Sequence, residues 1–163
     1  MIFWTMFTQS LRLPNKQAVF RLNRTGMDIT VFYMFILLGF VSVPTLIDVL
    51  TETNGMTANM NILFRLIYFF IFSYLPLTIV IFILLSLLAY IATGIAHLMK
   101  RKLKFSILWK MSAYTTTIPF LFYTVAATFF SVHDMIIILF IVYSLVLLIK
   151  IISIYPKRKK HAS

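Results

Sequence analysis

The sequence predicts an all-α fold: a polytopic transmembrane helical bundle of four spans, preceded by an N-terminal interfacial amphipathic region. Three observations predict it. Hydrophobic residues make up 61% of the 163 and charged residues only 12%, where a soluble domain has about 45–50% and about 25%. Four apolar stretches are each long enough to supply the roughly 20 residues that cross a ~30 Å hydrocarbon core. Threaded that way, every one of the 15 Lys and Arg except Arg65 falls on one side, and Asp48, Glu52 and Asp134 fall on the other. That asymmetry orients membrane helices with their basic flanks in the cytoplasm.

The same numbers exclude several classes. A net charge of +11 by itself suggests nucleic acid, but the charges stand in short blocks flanking apolar runs, so nucleic acid is not expected as a partner. There are no cysteines, which removes disulfides, thiolate metal sites and Cys nucleophiles. Met1-Ile2-Phe3-Trp4 lacks the basic region of a cleavable signal and no small-residue cleavage site follows, so the first span is expected to stay as an anchor. The chain reads as a single membrane domain over 1–163, with mean hydropathy +0.97.

Residues 1–26 form the interfacial segment. Ile2, Phe3, Trp4, Phe7 and Leu11 recur at roughly helical spacing, with Thr8, Gln9 and Arg12 away from them. Leu13-Pro14-Asn15 breaks the run. A second short stretch sets Ala18, Val19, Phe20 and Leu22 against Lys16, Arg21 and Arg24, and Gly26 is a natural stop. Two readings stand: helices lying at the cytoplasmic surface with basic groups towards anionic headgroups, or helices packed on the protein's own bundle. The sequon Asn23-Arg24-Thr25 falls on the cytoplasmic side and is not expected to carry sugar.

The first span is expected at about 30–50, interrupted by Gly39 and Pro44, which membrane helices tolerate. A short outer loop over 51–61 follows, with Thr53-Asn54-Gly55 as its turn signal. From Leu66 to Met99 there is no formal charge, about 50 Å of helix at 1.5 Å per residue. Splitting this into two spans would put Lys100-Arg101-Lys102-Leu103-Lys104 outside. One crossing over about 77–97 is expected instead, preceded by an outer-leaflet segment over 62–76 that bends near Pro76; a single tilted helix protruding on one side is the alternative. The third span is expected at about 107–130 and the fourth at about 135–155, joined by the tight turn Ser131-Val132-His133-Asp134. Pro156 stops the last helix and Lys157-Arg158-Lys159-Lys160 anchors the tail, so both termini are cytoplasmic.

Three groups of residues are candidate sites. Asp48 and Glu52, four apart, share a helix face, and with Asp134 and Arg65 they can form an ion-pair or cation group; the plainer alternative is ordinary charge at span ends. Arg12, Lys16, Arg21, Arg24, Lys110 and Lys150 are candidate lipid or partner contacts, the last two reaching water by snorkelling or meeting a lipid phosphate or a partner carboxylate. Thr115, Thr117 and Pro119 are a candidate kink or gate, because Pro119 frees the carbonyl of Thr115 and nearby hydroxyls can satisfy it. The stripe Ser86, Ala89, Ala92, Thr93, Gly94 and Ala96 allows close helix approach, within the bundle or towards a partner. His97 and His161 lie inside and His133 outside, so no His-based metal site is expected. No phosphate-binding, metalloprotease or nucleophile-elbow motif occurs; no catalytic residue, metal or cofactor is assigned.

The segment Lys102-Leu103-Lys104-Phe105-Ser106-Ile107-Leu108-Trp109-Lys110-Met111-Ser112-Ala113-Tyr114, with Thr117 and Pro119 after it, resembles a bacterial family, the domain-of-unknown-function 1189 membrane proteins. So does Ser10-Leu11-Arg12-Leu13-Pro14 through Phe20-Arg21 to Gly26, leading into Phe32-Tyr33. The resemblance implies grouping with Yip-type membrane proteins, a helical-bundle class, and carries no catalytic residues. The family's association with maltodextrin-utilisation genes implies partnership with a transporter. Its members are often longer after the first span, where this chain has only residues 51–61.

The expected function is that of a non-enzymatic accessory or regulatory subunit of a larger complex in the bacterial inner membrane. Its expected partners are anionic lipid headgroups and a membrane protein or further copies of itself. The alternative is a lipid-handling or small-solute transport protein acting as an oligomer, which a polar groove on the second and third spans would favour. An enzyme would need Asp48, Glu52, Asp134 and Arg65 to converge.

Overall fold

Asn15 starts the chain's first well-capped helix, and its local chemistry shows how the N-terminal arm is built. In the computed structural model, which describes residues 2–129 and 135–156 (the side chains of 135–137 excepted), helix α1 covers Ile2–Leu11 and α2 covers Lys16–Asn23. Pro14 lies in the link between them. Asn15, in extended geometry, accepts from the Gln17 N–H at 3.2 Å, satisfying one of the donors a helix start leaves orphaned. Met6 and Ser10 of α1 and Ala18, Val19 and Leu22 of α2 are buried. The arm is therefore packed on the protein's own bundle, while Arg12, Lys16, Arg21 and Arg24 remain exposed. Gly26 acts as the extended N-cap of the next helix rather than as a stop.

Helix α3 covers Met27–Val41 and leaves α2 at 109°. It ends at Ser42, and α4 resumes over Val43–Thr51 with Pro44 in its first turn, where a missing N–H costs nothing. After the 51–61 loop comes the longest element. Helix α5 (Ile62–Phe69), a π-helical segment (Phe70–Tyr74) and α6 (Leu75–Leu98) run on as a single 37-residue helix, Ile62–Leu98. The helix runs through Pro76, where a bend was expected, without a break. The reason is local: the π segment widens the turn just before the proline, and the Leu75 N–H bonds to the Phe70 carbonyl five residues back, a local accommodation that π bulges commonly supply. Residues 62–76 extend the second apolar helix instead of lying apart from it.

Helix α7 covers Phe105–Thr115, α8 Thr117–Phe129 and α9 Met135–Ile154. Among the described residues there is no β-strand, and the fold is all-helical. Every residue from Leu108 to Thr117 is buried, and α6, α9, α2, α3 and α8 all pack around α7. A helix buried on all sides carries no amphipathic stripe, which is why this one could not be placed by periodicity. Ala89, Ala92 and Ala96 of α6, all essentially inaccessible, join the same core cluster, so that part of the small-residue stripe serves packing within the bundle. Gly94 stands apart, with open space where a side chain would be.

By length and composition, Ile62–Leu98 is long and apolar enough to cross a membrane; Lys16–Asn23 and Met27–Val41 pass only when taken together. The first and third expected spans are each divided, at Ser42 and at Thr116. The turn after α6 closes with Arg101 N–H to Ala96 O at 2.8 Å and Lys100 N–H to His97 O at 2.9 Å, the paired bonds of a Schellman cap. Lys100 occupies its left-handed position, φ 55°, which glycine fills without steric cost. Lys100→Gly is expected to raise stability by about 1 kcal/mol, measured as a higher denaturant midpoint with an unchanged slope.

Candidate functional site

Among the described residues Lys110 is the one charged side chain that is buried. It sits on α7 and is only 9% exposed. Its ammonium donates to the Asn23 carbonyl at 2.7 Å and the Thr25 carbonyl at 2.8 Å. These belong to the C-terminal end of α2 and the turn into α3, where a helix leaves carbonyls unsatisfied and its dipole favours a cation. One turn further along α7, the Tyr114 hydroxyl bonds to Thr25 Oγ1 at 2.9 Å and Thr30 Oγ1 at 2.8 Å. Tyr33 on α3 then bonds Thr117 Oγ1 at 2.9 Å, and the Tyr33 and Tyr114 rings lie 5.5 Å apart. Trp109 completes the junction on the other side, donating its indole N–H to Ser86 Oγ of α6 at 3.1 Å.

Lys110 was expected either to snorkel or to meet an outside anion. The structure gives it a different role: two of its three donors are spent on the chain's own backbone, and it fixes the bend between α2 and α3. Lys150, on α9, is exposed. Arg12, Lys16, Arg21 and Arg24 are exposed and their side chains make no hydrogen bond or ion pair among the described residues. They are among the cations left for an external anion.

Arg65 was expected to pair with the outer acids. Its guanidinium instead donates to three backbone carbonyls, Leu50 at 2.6 Å, Ala58 at 2.7 Å and Met60 at 3.2 Å. A rigid fork of donors suits converging carbonyls, and it gathers the 51–61 loop onto the start of α5. Glu52 accepts from Thr57 Oγ1 within that loop. Asp48 is exposed on α4, and Asp134 lies outside the described residues. Among the described residues no three His, Asp or Glu come together as a metal-binding group.

The helix break falls at Thr116. Thr115 Oγ1 and Thr116 Oγ1 donate back to the Ser112 and Ala113 carbonyls, both at 2.8 Å, while Thr117 serves Tyr33. Beside this break lies a cavity of about 280 Å³. Ser42, the other helix break, faces it too, with Leu84 and Leu88 of α6, Tyr123 of α8 and Ser144 of α9. The sequence reading missed Tyr114, Thr25, Thr30 and Ser144. Lys110 and Tyr114 are four apart on one helix, the spacing that puts two side chains on one face; that was the available signal for the first three.

A family model described as a protein of unknown function (DUF1189) matches residues 53–152, more than half of the chain. The chain belongs to the DUF1189 family. The matched part begins at the Arg65-clasped loop and includes α5 through most of α9; the stretch from Lys102 lies inside it and the stretch from Ser10 outside. The DUF1189 match thus contains Lys110, but not the carbonyls that Lys110 holds. No curated protein and no solved structure matches the chain.

Two outcomes follow from these contacts. Lys110→Met, which keeps the stem and removes the donors, is expected to lower stability by about 1–3 kcal/mol and to speed amide exchange in residues 23–30. Arg65→Gln is expected to cost about 1 kcal/mol, with faster exchange confined to residues 56–61 and the α2–α3 bend unaffected. Hydrogen exchange read by mass spectrometry separates the two.

Proposed function

We propose that this DUF1189 protein is a four-span protein of the bacterial inner membrane with both termini cytoplasmic, and that it acts as a non-enzymatic accessory or regulatory subunit of a larger membrane complex. The observation that carries this reading is the helix Ile62–Leu98. Its 37 residues make about 55 Å at 1.5 Å per residue, against a hydrocarbon core of ~30 Å. Only 28% of its most apolar window is buried inside the protein. Lipid covers part of the remainder. Towards Ile62 the exposed side chains include Leu63, Phe64, Phe70 and Phe72, and an apolar rod longer than the bilayer calls for tilt or for another protein against it.

Further support comes from the N-terminal arm. A short helix turned 109° from the next has the attitude of a surface helix leading into a crossing one, and the exposed Arg12, Lys16, Arg21 and Arg24 suit anionic headgroups. The grouping with Yip-type membrane proteins belongs to the same reading. Lys110 and Arg65, the cations drawn furthest into the fold, are occupied by backbone carbonyls, which fits a structural role better than chemistry. A second reading, lipid handling or small-solute transport by a homo-oligomer, is favoured by the cavity between the two helix breaks.

Mass spectrometry of the tagged protein, extracted from its native membrane in a lipid-preserving polymer, tests the proposal. The expected result is a stoichiometric membrane-protein partner that is lost when Leu63 and Phe64 are replaced by Ser. A homo-oligomer carrying lipid alone would replace this reading with the second, and release of the chain by an alkaline carbonate wash would remove both.

A further inference from the structure

Ser144 is a polar residue in an otherwise apolar stretch of α9, 1% exposed, and its hydroxyl makes no hydrogen bond to any described residue. Buried hydroxyls in helices ordinarily donate to the carbonyl four residues back, as Ser86, Thr93 and Ser112 do here at 2.7–2.9 Å. Ser144 does not, and it lines the cavity. A hydroxyl that opens on an apolar cavity without a protein partner is costly, so the group points to a missing one. Tyr123, on the facing wall, also has no hydrogen bond among the described residues.

The rest of the cavity defines what that partner is. Its walls are mainly Leu, Ile, Val and Phe side chains, and no charged side chain lines it. An ionised head would be stranded there, whereas an alkyl chain would be well solvated. At about 280 Å³ the space falls just below the usual range for small-molecule sites, about 300–1,000 Å³, which suits one chain and not two. The cavity also has a way in. Helix α9 packs on α6 and α7, and α8 packs on α3 and α4, with no extended contact between α8 and α9 among the described residues. Both helices present exposed apolar residues, Phe122 and Val125 on α8, Ile138 and Val142 on α9.

We propose that the cavity between α4, α6, α8 and α9 binds a single-chain neutral lipid, its alkyl chain against Leu84 and Leu88 and its uncharged oxygen hydrogen-bonded to Ser144 and Tyr123. The ligand enters between α8 and α9 from the surrounding apolar phase. This goes beyond the accessory-subunit reading and rests only on the chain lying in a membrane.

Photocrosslinking of the full-length protein in detergent micelles, with a diazirine-bearing hexadecanol as probe, tests it without requiring four spans. Adducts are expected on cavity-lining residues of α8 and α9, and unlabelled hexadecanol should compete at least about fivefold better than hexadecane or palmitate, the worth of one hydrogen bond. Ser144→Ala with Tyr123→Phe should abolish that preference for the alcohol while leaving chain labelling. Leu84→Trp, which fills the space, should remove labelling from the cavity; Leu88→Phe serves as the second filling variant where Leu84→Trp does not fold. Labelling spread evenly over the exposed faces of α5 and α6, or cavity labelling with equal competition by all three compounds, would overturn the proposal. Carbonate extraction of the membrane fraction reads the membrane assignment separately.

Discussion

The enclosure of α7 is the constraint on which the rest of the protein depends. A helix surrounded by other helices has no water to turn to, so each polar side chain on it must find a partner in the protein. Lys110 is the most demanding of these. An ammonium can be buried only where oxygen atoms replace its hydration, and the richest local source is the end of a short helix with carbonyls to spare. Helix α2 supplies it. The arm must therefore stop at Asn23, turn through Thr25 and bring two carbonyls to within 2.8 Å of one nitrogen. The angle between α2 and α3, the burial of Val19 and Leu22, and the Tyr114 bonds to Thr25 and Thr30 all follow from that docking.

The three prolines inside the apolar stretches show how surroundings decide the effect of one residue. Pro44 and Pro119 follow clean breaks, at Ser42 and Thr116. Pro76 follows a π segment and causes no break at all. The difference lies in what lies around each helix. Around Thr116 the chain is buried and hydrogen-bonded to its neighbours, so Thr115, Thr116 and Thr117 can each be given a fixed partner and a break is held in place. Around Pro76 most side chains are exposed, and a widened turn satisfies the backbone so that the helix continues. Both breaks then face the same cavity, because interrupted helices cannot pack as closely as straight ones.

These differences also explain how much was legible beforehand. The all-helical fold, the positions of α3, α6, α8 and α9 within long apolar runs, and a break beside Pro119 are readable because they depend on composition and on proline, both local properties. The contacts of Lys110 and Arg65 are not. Nothing near either residue in sequence says that its partners are carbonyls, since carbonyls belong to every residue and only the turn geometry selects which are free. The same limit applies to residues 62–76. Charge counting says that the chain from Leu66 to Met99 crosses once, but whether the excess length bends or continues depends on a π turn that has no residue signature. Ser144 was invisible for a related reason: a lone Ser in an apolar helix ordinarily bonds its own backbone, and only the cavity reveals that this one does not.

The distribution of cations separates structure from recognition. Arg65 and Lys110 are committed internally, one to the 51–61 loop through three carbonyls and one to the arm through two. The cations of α2 face away from the protein, with Arg12 beside them, and have no internal partner to release. Lys110 ties that arm to α7, the helix on which α2, α3, α6, α8 and α9 pack. The long apolar helix contributes its α6 part to the cavity wall, and α6 and α8 pack on that same α7. On this arrangement the arm and the long apolar helix are joined through one buried element, α7.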